Sequence, residues 1–254
     1  MLHLVINCGL CEEAIGPCIE SVRGQTFPSW RAWVTIDRLG DQTFGQAMEA
    51  REDDPRIDIV VNEERLFPMA NLLRAIDRSR AEPEDVIVVL DGDDRLIRDD
   101  ALALIARAYD EGAWMTYGSW ISNRADRPGR WPAYPEGTTD FREQPWLGTA
   151  VRSWKKWLFD LIDPDDFRDP EGKLLRVAED LACMFPLLEM ATTARARHIP
   201  EAIMLYNLDS HHDPGRALAE EGIRNAAWLR GKARYAAVSE YGSRAAFAAT
   251  DGAR

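Results

Sequence analysis

The run Asp91-Gly92-Asp93-Asp94 places three carboxylates within four residues, directly after the all-apolar stretch Val86–Leu90. Such a cluster repels itself unless a cation lies between its members. If the extended backbone continues past Leu90, Asp91 and Asp93 point to the same side and share one face. Their hard oxygens favour Mg²⁺ or Mn²⁺, ions that complete their shells with water and substrate phosphates. A solvated Asp-Gly turn is the bland alternative. A second acid pair, Glu179-Asp180, lies in an expected helix, where adjacent residues diverge by about 100°, so that only one of them, taken as Asp180, faces a site. Both also suit a helix start as N-terminal acids. Cys8-x-x-Cys11 has zinc or redox spacing, with Cys18 close by and Cys183 far away. A structural zinc needs a second ligand pair that nothing nearby supplies, so reduced, packed thiols are expected, with metal and redox roles as alternatives.

Alternating strands and helices must position these groups. Strands are expected at Leu4–Cys8, Arg31–Ile36, Ile57–Val61, Val86–Leu90, Trp114–Gly118 and His198–Tyr206. Helices are expected over about ten residues ending before Gly24, at Gly45–Glu52, Met69–Ser79 and from Asp100 onward. Two amphipathic helices follow near Ser153–Leu161 and Val177–Met190, and a terminal one spans Arg216–Glu240. The β-branched run Val86–Leu90 reads as a strand buried on both faces, the habit of a central parallel strand. The fold class is therefore α/β: a single doubly wound, mostly parallel sheet flanked by helices, with a helical C-terminal extension. Residues 1–214 are read as one domain and 215–254 as an extension packed on it. Prolines 128, 132, 135 and 145 exclude a long helix between Asn123 and Trp146, a stretch suited to a lid or binding loop.

The chain has 254 residues, 46% of them hydrophobic and 29% charged, a globular balance that excludes a disordered or fibrous protein. Lys+Arg is 31 and Asp+Glu 43, a net charge of −12, which repels a nucleic-acid backbone. The longest uncharged stretch, Gly112–Asn123, is 12 residues, too short to span a bilayer. Met1-Leu2-His3 runs straight into the first strand, so no signal peptide is expected and a cytoplasmic setting follows.

Several motifs together resemble the family 2 glycosyltransferases of GT-A fold. They are the opening Val5–Asp37 with Ser21-Val22 and Gln25-Thr26-Phe27-Pro28, then Asn71 before a helix, then Val-Val-Leu-Asp-Gly-Asp-Asp at 88–94. Val151-Arg152 through Leu158-Phe159, and Val177-Ala178-Glu179-Asp180-Leu181, continue the match in order. The resemblance covers roughly residues 3–213. It implies a nucleotide-sugar donor, a UDP-sugar by family habit, contacted by Asp37 at the base and by Asn71, Asp91, Gly92 and Asp93. A divalent cation, Mn²⁺ or Mg²⁺, would be held by Asp91 and Asp93, and Asp180 would be the catalytic base of an inverting transfer to a glycan or lipid-linked acceptor. The family's second-strand motif is reduced to Asp37-Arg38-Leu39-Gly40-Asp41, and the Gln-x-x-Arg-Trp motif of processive synthases is absent, so one sugar per encounter is expected. His211, in His211-His212-Asp213, is the candidate third metal ligand, against a surface turn as the plain reading.

Six tryptophans lie between 114 and 157. Those at 114, 154 and 157 read as core, while Trp131 and Trp146 are candidates for an acceptor wall. The terminal helix mixes Arg224, Arg230, Lys232 and Arg234 with Trp228, Leu229 and Tyr235. Packing on the domain accounts for it, and peripheral contact with an anionic membrane is the second reading. Three competing functions are weighed. A sugar-phosphate nucleotidyltransferase would need a Gly-rich loop with a Lys, which Cys8–Glu12 lacks. A catalytically silent relative, binding carbohydrate or acting as a scaffold, would be marked by loss of Asp91, Asp93 or Asp180, and all three are present. A phosphohydrolase with an Asp-x-Asp nucleophile would carry that motif at its first strand.

Overall fold

The structure, a computed structural model, describes residues 1–124, 132–209 and 216–242. Trp131, His211, His212 and Asp213 lie outside the described residues. The elements run β1 (Leu2–Cys8), α1 (Ile15–Arg23), β2 (Trp30–Asp37), α2 (Thr43–Arg51), β3 (Ile57–Asn62), α3 (Phe67–Ser79) and β4 (Val86–Asp91). They continue with β5 (Arg95–Leu96), α4 (Ala101–Asp110), β6 (Met115–Ser122), β7 (Arg152–Lys155), α5 (Lys156–Phe159), a 3₁₀ turn at Pro164–Phe167, α6 (Glu179–Arg195), β8 (Ala196–Tyr206) and α7 (Arg216–Gly231). One eight-stranded sheet has the order β3-β2-β1-β4-β7-β6-β8-β5. β1–β2, β2–β3, β1–β4 and β6–β8 are parallel, whereas β4–β7, β6–β7 and β5–β8 are antiparallel.

Alternation within the strands feeds two cores. Leu4 and Ile6 of β1 with Val88 and Leu90 of β4 face α1, α2 and α4. Val5, Ile87 and Val89 face α3, α5 and α6. β4 is buried on both faces, as its composition requires. Helix α1 presents Ile15, Cys18, Ile19 and Val22 to its core, spaced as one helical stripe needs. Gln25, from the motif after α1, is a structural tie: its amide donates to the Ser21 and Arg98 carbonyls and accepts from the Leu102 amide at the start of α4.

Three expectations are corrected. The segment expected as a helix at Ser153–Leu161 begins as strand β7, and only Lys156–Phe159 is helical. Its identity is imposed by pairing with Val86–Val89 on one side and Met115–Thr116 on the other, which overrides the helical spacing of its tryptophans. The terminal helix ends at Gly231 instead of Glu240, because Tyr235 is drawn into the core, where its hydroxyl donates to Asp166 and its amide to Glu189. Helix α6 is buried all round from Leu181 to Ala191 instead of amphipathic. Its single acid there, Glu189, is held by a bidentate pair with the equally buried Arg142, which also donates to the Leu229 carbonyl of α7.

α7 rests on the segment leading into α6. Asn225 donates to the Val177 carbonyl, and Glu221 pairs with Arg176. Arg230 donates to the Arg142 and Gln144 carbonyls, Lys232 pairs with Asp166, and Arg234 reaches Asp140 and Glu143. Arg230, Lys232 and Arg234 are thus engaged in packing contacts, while Arg224 is exposed. Among the described residues, no helix is long and apolar enough to cross a membrane.

Candidate active site

Strand order reverses between β1 and β4, because β1 leads outward to β2 and β3 while β4 returns on its other flank. Open α/β sheets form their ligand crevice at such a switch point, beyond the carboxyl ends of the strands. The register puts Asn7 of β1 beside Asp91 of β4 there, and Asp37 of β2 beside Asn62 of β3. β7 runs the other way, so its first residue, Arg152, opposite Val89, reaches the same edge.

The Asp91–Asp94 loop is pressed onto β1. The Gly92 amide donates to the Asn7 carbonyl at 2.9 Å, and a Cβ on Gly92 would lie 2.4 Å from Cys8 Sγ. Only glycine fits without displacing that thiol. Asp91 and Asp93 are half-buried, but Asp94 turns inward and accepts from the Asn207 amide, with no partner for its buried Oδ2 among the described residues. Burial, reinforced by the Asp93 and Asp91 charges, pushes its carboxyl up to about 9, so Asp94 is protonated at neutral pH. It ties the loop to the segment that follows β8. The four cysteines are free and buried; burial raises the Cys18 thiol, and contact with Cys11 followed by burial raises that of Cys8, which disfavours both thiolates.

Across the crevice, Arg152 extends between the strand loop and the start of α6. One terminal nitrogen lies 3.5 Å from Asp91 and the other 3.7 Å from Asp180. The arginine side chain is 8% exposed, against 35% for Asp91 and 30% for Asp180. Burial alone would lower its affinity for the proton, but Asp91, Asp180 and Glu179 outweigh it and raise the value. Burial and the Asp180 charge push the Glu179 carboxyl up to about 8. Both acids border one recess of about 10 Å³, together with Asn7, Arg152, Trp154, Cys183 and Met184. The expectation that only one of the adjacent acids could face the site is thus corrected. Residues 179, 183, 180 and 184 follow one another at about 0°, 40°, 100° and 140° around the helix, one stripe about 140° wide that holds both acids.

At the β2–β3 end, Asp37 occupies the expected strand terminus, but its carboxylate is turned inward. It accepts from Asn62 and from the Leu66 and Phe67 amides, so it caps α3, which has no cap of its own. Asn71, also buried, accepts from the same Asn62 amide group, whose carbonyl oxygen takes a hydrogen bond from Arg74. An open cleft of about 500 Å³ lies between the β1–α1 loop and residues 207–209, lined by Leu10, Cys11, Glu12, Glu13, Asp41 and Asp209 among others. Its size suits a nucleotide-sized ligand. Trp154 and Trp157 are core, Trp114 lies edge-on to Trp157, and Trp146 packs edge-on against Phe185 of α6.

Sequence reasoning missed Arg152 as a site residue, and with it Asn7 and Asn62. Two signals were available: charge accounting, since acids gathered at one edge of a sheet call for a buried cation, and the place of Val151-Arg152 among the motifs that carry the resemblance, where no role was attached to it.

The family model described as Glycosyl transferase family 2 matches residues 4–168, more than half of the chain. In fold, the chain is similar to Staphylococcus aureus TarS residues 1–349 in complex with UDP, with TM-score 0.60 and 19% identity over 90% of this chain and 64% of that one. The same protein in complex with UDP-GlcNAc gives TM-score 0.60 and 15% identity over 90% and 65%. The mannosyltransferase PcManGT from Pyrobaculum calidifontis, in complex with GDP-Man and Mn²⁺, gives 0.54 and 14% over 90% and 69%. The chain thus spans somewhat less than two thirds of the TarS fragment's length. No curated protein matches the sequence.

Proposed function

The chain belongs to glycosyl transferase family 2, and from that premise we propose that it moves one sugar per encounter from a nucleotide-sugar, UDP-linked, to an acceptor hydroxyl of a glycan or lipid-linked saccharide, with inversion. The observation that carries this reading is the convergence of Asp91 and Asp180 on one crevice, each within 4 Å of the Arg152 guanidinium. Solved relatives in complex with UDP, UDP-GlcNAc and GDP-Man support a nucleotide-sugar donor, with a GDP-sugar as the second choice. Residues 1–214 form the transferase domain in this reading, and 215–254 the extension that buttresses it.

Asp91 and Asp93 offer two half-buried, hard-oxygen donors at the strand end. Among the described residues, no three His, Cys, Asp or Glu side chains are grouped to enclose a metal ion. A pair of carboxylates suits Mg²⁺ or Mn²⁺, which keep several waters and take further ligands from substrate phosphates. Bound there, such an ion supplies charge neutralisation for the departing diphosphate. Gly92 lets the loop lie close enough to β1 to present both acids, and Asp37 and Asn71 shape the nucleotide end from beneath through Asn62. Asp180 accepts the proton of the acceptor hydroxyl as that oxygen bonds to the anomeric carbon. The bond from that carbon to the diphosphate breaks at the same time, and its electron pair leaves with the nucleoside diphosphate. Attack opposite the leaving group inverts the centre.

A thermal-shift panel of UDP, GDP, dTDP and CDP, each with and without Mn²⁺, tests the reading on wild type and Asp93→Asn. One nucleotide should raise Tm only with Mn²⁺, by about 3 kcal/mol of linkage at a hundredfold excess over Kd, and the variant should lose that shift. No shift with any nucleotide would favour a silent relative that retains the fold.

A further inference from the structure

We propose that Arg152 is a positioning residue that holds the proton-accepting Asp180 in register with the donor-side Asp91. This rests on the transferase reading above. A guanidinium is a planar fork whose two terminal nitrogens can serve two acceptors at once, whereas an ammonium is a point charge that serves one position. Arg152 is used in that divided way, with 3.5 Å to Asp91 and 3.7 Å to Asp180 from different nitrogens. Its Cα is fixed by the register of β7 with β4, the strand that ends in Asp91. Among the described residues its buried Nε has no partner, and neither do Asn7 Oδ1 and Trp154 Nε1. All three residues line the recess of about 10 Å³, room for about one water. An acceptor and two donors around one such space suit a bridging water that fixes the third edge of the guanidinium. One side chain thus joins the two carboxylates.

The same contact has an opposite effect on the two carboxylates. A fixed positive charge beside Asp91 opposes a second cation there, while it orients Asp180. Arg152→Met should therefore bind Mn²⁺ about 5-fold more tightly or better, because a unit charge is removed at contact range. Its kcat should fall about 100-fold, the cost of misplacing a reacting group by about 1 Å. Arg152→Lys keeps the charge but not the span. It should hold Mn²⁺ within about 2-fold of wild type yet lose about 10-fold or more in kcat, with donor KM nearly unchanged. Mn²⁺ affinity is read by electron paramagnetic resonance without nucleotide, on variants whose folding is verified by circular dichroism and thermal melting. Wild-type kcat in Arg152→Lys would overturn the inference, as would weaker Mn²⁺ binding in Arg152→Met. So would losses in either variant that only track the folded fraction. Those results leave the transferase reading intact. A wild type that neither binds Mn²⁺ nor transfers sugar would sink both.

Discussion

On the β4 side of the crevice, Asp91 ends a strand held by neighbours on both flanks, and the loop beyond it is pinned to Asn7 and Cys8 of the adjoining strand. On the α6 side, Glu179 and Asp180 follow Ala178, a non-glycine residue in the left-handed region with φ 69° and ψ 27°. The approach to that residue is held by α7: Asn225 reaches Val177 across 48 residues, and Glu221 reaches Arg176 across 45. One carboxylate pair thus inherits its position from the sheet, whereas the other is held by contacts remote in sequence. Disturbing the first should affect ligand affinity at the loop itself, while the second can be disturbed from a distance.

The largest effect that separates the two sides is expected from Asp180→Asn. Its transfer rate should fall by about 10²–10⁴-fold, the usual contribution of a general base, with the Mn²⁺-dependent nucleotide shift unchanged. A lost shift would place Asp180 on the donor side and erase the distinction. Next is the remote support. Glu189→Ala leaves the buried Arg142 uncompensated, at about 3–5 kcal/mol, which lowers Tm by roughly 10 °C. A melt within 2–3 °C of wild type would show that α7 and α6 are joined by other means. Gly92→Ala should weaken Mn²⁺-dependent nucleotide binding about 10-fold, by contact with Cys8 Sγ. Adding Cys8→Ala should restore part of that loss, and strictly additive losses would exclude the contact as the cause.

The pH dependence gives a smaller difference. Burial raises the Glu179 carboxyl to about 8 from the ordinary 4.5, so the folded chain binds that proton more tightly than the unfolded chain does. On that account stability declines as pH rises from about 5 to about 8. Asp94 adds a slope of the same sign. Glu179→Gln should flatten the fall in Tm over that range, and an unchanged slope would assign all of it to Asp94. Smallest of all is Ala178→Gly. Relief of the left-handed alanine, about 1–2 kcal/mol, is largely offset by the freer unfolded chain, so Tm should rise by about 1 °C. A clear drop would mean that the methyl group is needed where it packs.

The sheet's parallel half was legible because each of its strands carries its own signal. Val86–Leu90 is apolar throughout, and α1 and α3 show their buried stripes within one or two residues of the observed bounds. Strand β7 was not legible, because four residues have no period of their own and take their conformation from β4 and β6. The two-residue β5 is set in the same way by β8. Within the site, the end of a buried strand located Asp91, and a short acidic pair located Glu179 and Asp180. Which cation lies between these acids depends on side chains that meet only after folding. Asp37 shows the same limit: its place at a strand end was readable, but its use as a cap for α3 was not.

Asp91 and Arg152 are 61 residues apart in sequence, and this separation has a consequence for how the chain acquires its chemistry during synthesis. Strands β1 to β4 with their helices come from the first 91 residues and need only short crossovers to assemble. β7 must then close a much longer loop before it can pair with β4. The acidic loop is tied in turn to Asn207, made later still, so the half that would take the cation and the half that would take the proton are both completed only when the C-terminal part of the sheet has closed.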